Sequence, residues 1–95
     1  MKHIKNELII KGFTYKLLKR ASNIALFEQS KNGDVYGYEV HKIRVSPKRE
    51  IRGIILEKGE RLASDEDFGR YGWSYQIKDN AMNKYDALIL SQNQS

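Results

Sequence analysis

Apolar and polar positions alternate with a period of two through most of this chain, and a helical period appears only near its end. Residues 13–20 set Phe13, Tyr15 and Leu17 on one side and Thr14, Lys16, Leu18 and Arg20 on the other. Residues 23–29 follow, with Ile24 and Leu26 on one side and Ala25 and Phe27 on the other. Apolar residues on both sides predict a central strand. Asn32-Gly33 then supplies two residues that tolerate positive φ, a strong hairpin signal. Residues 35–45 predict a third, long strand. Its apolar positions change phase, from Tyr36, Tyr38 and Val40 to Ile43 and Val45. A slip of one residue exchanges the two faces, so a bulge or a change of buried face is expected near His41.

Pro47 lacks a ladder donor and ends that strand. Ile54, Ile55 and Leu56 predict a short buried strand within residues 52–57. Ser64 followed by Asp65, Glu66 and Asp67 has the form of a helix start, and Gly69 stops it after about one turn. Residues 71–78 alternate cleanly, with Tyr71, Trp73, Tyr75 and Ile77 on one face. Asp79 has the character of an N-cap. Behind it Ala81, Met82, Tyr85, Leu88 and Ile89 form one helical stripe. The expected fold class is α+β: an antiparallel sheet of four or five strands with one C-terminal helix packed on one face. Trp73, Tyr75, Ile77, Met82, Tyr85 and Leu88 are expected in one core. The other sheet face is expected to stay open.

The chain has 95 residues, which allow one domain spanning 1–95, with frayed ends over 1–6 and 91–95. It contains no cysteine and two histidines, which removes disulfide frameworks, thiol nucleophiles and Cys-based metal sites. No apolar run approaches the roughly 20 residues of a membrane-spanning helix. A cytoplasmic location, with no membrane contact, is therefore expected. Net charge is +5, unevenly distributed. Residues 1–58 carry 13 basic and 6 acidic side chains, and residues 59–95 carry 4 and 6. A basic first part attracts phosphates or an acidic protein surface. The same excess also serves plain solubility.

His41 and Glu39 share a strand face and have the chemistry of a positioned base, but no motif places a nucleophile with them. Asp65, Glu66 and Asp67 point in different directions around a turn and do not converge on an ion. Glycine-rich phosphate loops and nucleophile elbows are absent from the sequence. The expectation is a non-enzymatic protein with no cofactor and no metal. The pattern most suggestive of function is basic residues interleaved with aromatics. Tyr36, Tyr38, Lys42 and Arg44 lie on the even positions of the third strand, Lys16 and Arg20 lie on the first, and Lys48, Arg49 and Arg52 follow Pro47. On an open sheet such a set meets nucleic-acid strands or grooves. The plain alternative is a solvated outer face.

Three antiparallel strands leading into Ala81-x-x-x-Tyr85-Asp86-Ala87 resemble the three-strand-plus-helix DNA-binding domains of plant ethylene-response factors and phage integrase arms. That resemblance implies a sheet face in the major groove, and the insertion over residues 46–70 departs from it. Tyr38-Glu39-Val40 in a basic strand, the run Gly59-Glu60-Arg61-Leu62-Ala63-Ser64-Asp65-Glu66-Asp67-Phe68-Gly69, then Gly72-Trp73 and a final helix resemble small bacteriophage and mobile-element accessory proteins. This second likeness implies an origin and a binding role. The partner classes are thus DNA or RNA, or alternatively a host protein that is bound or inhibited. The oligomeric state is not encoded in any visible pattern.

Overall fold

The computed structural model describes residues 2–93. Among them the elements run β1 (Glu7–Ile10), β2 (Phe13–Ala21), β3 (Ile24–Lys31), β4 (Asp34–Lys42), β5 (Arg44–Ser46), β6 (Arg49–Ile51), β7 (Ile54–Leu56), β8 (Gly59–Arg61), β9 (Gly72–Tyr75) and α1 (Lys78–Asn93). Strands β1, β2, β3, β4 and β9 form one antiparallel five-stranded sheet in that order. Helix α1 packs across β3, β4 and β9. The expected α+β architecture, with the helix on one face, is the one observed. No helix among the described residues is long and apolar enough to cross a membrane.

Strand β1 went unpredicted. Leu8, Ile9 and Ile10 are consecutive apolar residues and show no alternation, yet Leu8 and Ile10 face inward while Ile9 is 74% exposed. The turn at Lys11-Gly12 that pairs β1 with β2 has positive φ at both residues, 51° and 85°. The Asn32-Gly33 turn takes the same form, 52° and 84°, as its sequence predicts.

The sheet is covered on both faces, which corrects the expectation of an open one. On the helix side Ile24, Leu26 and Val40 pack with Ala81, Tyr85 and Leu88. On the other side Tyr15, Ala25, Phe27 and Ile43 are buried beneath Ile4, Leu8 and Leu62. The run Ile24-Ala25-Leu26-Phe27 is buried at every position, so β3 is central in the fullest sense. Each of its large side chains contributes about 1.5–3 kcal/mol of burial.

Two bulges decide which residues share a face. One lies between Leu17 and Lys19, the other opposite Gln29 and Ser30, where Tyr36 is the extra residue. No bulge occurs near His41. Glu39, His41 and Ile43 all face the non-helix core, and the apparent phase change arises because two of these buried positions are polar. The long strand stops at Lys42, and β5 turns away to pair with β8.

Within residues 1–6, expected to fray, Lys2 makes two backbone hydrogen bonds to the segment around β8. The Lys2 amide donates to the Lys58 carbonyl at 3.1 Å, and the Glu60 amide donates to the Lys2 carbonyl at 2.7 Å. At the other end, α1 continues to Asn93. Met1, Gln94 and Ser95 lie outside the described residues. Ile77 is 60% exposed and leaves the predicted core set, because the chain turns into α1 directly after it.

Strands β6 and β7 form a separate ribbon with Ile51 opposite Ile54, closed by Arg52 and Gly53 at φ 52° and 79°. The ribbon packs substantially on no other strand and not on the helix. Ile54 and Ile55, expected in a buried strand, are 64% and 57% exposed. The Cα radius of gyration is 14.2 Å, against about 12 Å for a compact chain of this length. A projecting ribbon accounts for a surplus in this direction.

Candidate functional site

The nine basic and aromatic residues expected on one face do not come together. Lys16 stands opposite Glu28, which stands opposite Tyr38, and Tyr38 stands opposite Tyr75 on the helix side. Tyr38 packs against the helix-side core. Lys42 is on that same side, opposite Ile24, and half-buried. The bulge after Leu17 puts Arg20 on the other face, where its guanidinium holds Glu60. The bulge at Tyr36 does the same for that residue, whose ring meets Phe13 edge-on at 5.3 Å. Arg44 is engaged in the fold. It lies 3.9 Å over the Tyr71 ring and pairs with Asp67. The Asp67 carboxyl sits below the ordinary aspartate range, held there first by the amide and hydroxyl of Ser64 and then by Arg44.

Lys48, Arg49 and Arg52 are the exception. All three are exposed, and they belong to one element, the β6–β7 arm with its approach from Pro47. The pairing of Arg49 with Leu56 and of Ile51 with Ile54 sets Arg49, Ile51 and Ile54 on one face of the ribbon. Glu50 and Ile55 take the opposite face. Arg52 sits in the turn at the tip. A two-stranded ribbon without a core is marginal in water by itself, and this one exposes three isoleucines. The sequence marked its cations but not its apolar tip, because Ile54-Ile55-Leu56 reads as a core strand.

A second site lies on the non-helix face, between the β1–β2 turn and residues 63–68. It is a pocket of about 360 Å³, with Glu39, His41 and Tyr15 in its lining. His41 is 2% exposed, and its Nε2 lies 2.8 Å from Glu39 Oε1. The Ala63 amide donates to His41 Nδ1 at 3.1 Å, so Nδ1 is an acceptor and Nε2 carries the proton given to Glu39. Both ring nitrogens are thereby engaged, and the imidazole has none left for a substrate proton. Tyr15 donates its hydroxyl to Glu39 Oε2 at 2.9 Å and accepts from Gln29 Nε2 at 3.2 Å. Burial first, and then the Glu39 charge, push the Tyr15 hydroxyl far above the ordinary tyrosine value.

Phe27 and Phe68 meet the His41 ring edge-on, at 5.9 and 5.7 Å. Gly72 lets β9 approach this wall, since a Cβ there would lie 2.8 Å from Ala63 Cβ. Lys11 and Asp65 also line the pocket and pair with each other. The sequence had shown Glu39 and His41 as neighbours on one face. Nothing in their spacing disclosed Tyr15, Gln29 and Ala63 as their partners, because those contacts cross strands and loops. Among the described residues no group of three or more His, Asp or Glu side chains is arranged to hold a metal ion.

Comparison with protein-family models, with curated proteins and with solved structures returns no match for this chain.

Proposed function

We propose that this chain is a small, non-enzymatic binding protein that meets duplex DNA through the β6–β7 arm. The observation that carries the reading is the coincidence of exposed Lys48, Arg49 and Arg52 with exposed Ile51 and Ile54 on one ribbon that shares no substantial packing with another strand or with the helix. Three residues per strand extend about 10 Å, comparable to a major-groove depth of about 8.5 Å. Two-stranded ribbons enter DNA grooves in this way, and apolar wedges beside basic residues open base steps. The basic excess of residues 1–58 adds long-range attraction. The reading places the protein in the cytoplasm, and a cysteine-free chain has no disulfide that such a compartment would reduce.

Fluorescence anisotropy on a labelled duplex across a salt series tests it. Three phosphate contacts contribute about 2.7 units to the log–log salt slope. The triple variant Lys48→Ala/Arg49→Ala/Arg52→Ala should lose most of that slope. Lys16→Ala/Lys42→Ala, which alters the helix-side face, should leave it nearly unchanged. An unchanged slope in the triple variant overturns the arm. The reading then passes to the alternative, a phage or mobile-element accessory protein that binds a host protein. One observation favours a place for that partner: β1 is an edge strand with Ile9 turned outward, suited to strand addition.

A further inference from the structure

We propose that the Tyr15–Glu39–His41 pocket binds a small organic monocation, a primary ammonium or amidinium group on a compact apolar body. This site is distinct from the arm and does not rest on the DNA reading. Glu39 is 6% exposed, and three donors, Tyr15, His41 and Ser74, converge on its two oxygens, the pattern of an accepting carboxylate. None of the three is a Lys or Arg: Tyr15 gives a phenol proton that is held tightly, Ser74 a hydroxyl, and His41, whose Nδ1 accepts the Ala63 amide, its other ring N–H. Among the described residues no Lys or Arg pairs with Glu39, and the nearby Lys11 is paired with Asp65. A buried carboxylate without a cation is costly. A cationic ligand supplies the missing charge from the pocket side.

The rest of the lining suits the same ligand. Ser74 Oγ donates to Glu39 Oε2 at 3.5 Å, a long bond that a guest's N–H can replace. Gln29 uses its amide N–H on Tyr15, which leaves its amide oxygen as an acceptor for a second ligand N–H. Phe13 and Phe68 supply apolar, π-rich walls that attract a cation. The volume of about 360 Å³ equals about a dozen water volumes, which limits the guest to a small molecule.

The test is a titration of ¹⁵N-labelled protein with benzylamine, charged at pH 7, against benzyl alcohol, its uncharged counterpart of similar shape. Benzylamine should give saturable shifts at the amides of Tyr15, Glu39 and Phe68. Benzyl alcohol should bind at least tenfold more weakly. Glu39→Gln should weaken benzylamine at least tenfold. Phe68→Leu, at a partly exposed wall position that the core does not depend on, should weaken it about threefold with an unchanged circular dichroism spectrum. Phe68→Leu also keeps the proposal testable should Glu39→Gln fail to fold. The arm variant Lys48→Ala/Arg49→Ala/Arg52→Ala should bind benzylamine as the parent does, so the two readings stand or fall separately. Equal binding of amine and alcohol, shifts located elsewhere, or affinity indifferent to both pocket substitutions overturns the proposal.

Discussion

Arg20 and Glu60 meet across the non-helix face as a two-pronged ion pair, Nη1 donating to Oε1 at 2.9 Å and Nη2 to Oε2 at 2.5 Å. The Ile4 amide donates to the same carboxylate at 3.0 Å. One side chain thus ties β2, β8 and the amino-terminal segment together. The Arg20 guanidinium first, and then the Ile4 amide, hold Glu60 down to about 2 from the ordinary 4.5. A carboxyl lowered in the folded state stabilises the fold above its unfolded value, and that stability is lost as pH falls toward the folded value. The window is therefore about pH 4.5 to 2. Glu60→Gln should cost about 1–3 kcal/mol at pH 7, discounted by the partial exposure of Arg20. Urea midpoints measured from pH 5 to 2 should fall more steeply in the parent than in Glu60→Gln. Parallel slopes would refute the assignment.

Tyr15 makes the opposite prediction at the alkaline end. Its hydroxyl is raised by burial and by Glu39, so the protonated form is favoured in the fold. A group raised in this way contributes stability that is present below its unfolded value near 10 and is lost as pH rises beyond it. Tyr15→Phe should cost about 1–3 kcal/mol at neutral pH, because it leaves Glu39 short of a donor. It should also flatten the decline of stability above pH 10. Thermal unfolding monitored from pH 8 to 11 gives both readings. An equal decline in parent and variant would place the alkaline sensitivity elsewhere.

Leu26 and Ile77 separate what the sequence discloses from what only packing decides. Both are apolar residues in alternating patterns. Leu26 is fully buried between β2 and β4, and Ile77 is 60% exposed at the entry to α1. Leu26→Ala should cost about 2–5 kcal/mol, and Ile77→Ala about 0.5 or less. Denaturant unfolding of the pair checks this directly.

The same comparison explains how much was legible. Ladder elements with strong local signals, the Asn32-Gly33 hairpin and the β9–α1 junction, are visible because period and turn chemistry agree. Tyr36 and Tyr38 look like one face in sequence, yet a single bulge residue sends them to opposite faces. Local spacing does not encode bulges reliably. The pocket was illegible for a different reason. Glu39 and His41 are adjacent on a face, but the donors that fix their roles come from residues 15 and 63. Only the tertiary fold brings those positions together.

The arm yields the last prediction, which concerns its independence from the domain. Every residue from Lys48 to Ile55 is exposed, and the ribbon shares no substantial packing with the sheet or the helix. At its base Ser46 and Gly59 are already paired, as part of the β5–β8 ribbon. Removing residues 49–56 joins Lys48 to Glu57 and leaves Pro47, Lys48, Glu57 and Lys58 as a four-residue connection between that pair. Hairpin loops of this length are common, and a shorter loop costs slightly less closure entropy. The shortened chain should therefore fold, with a stability within about 0.5 kcal/mol of the parent, the range of surface changes remote from packing. For a domain of this size that is a melting shift of about 2–4 °C at most. The same deletion should remove the salt-dependent DNA binding assigned to the arm. Its pocket should still take up benzylamine, since none of the residues lining that pocket is deleted. A drop in melting temperature of 10 °C or more would show that the arm is part of the core after all, and its exposure would then need another explanation.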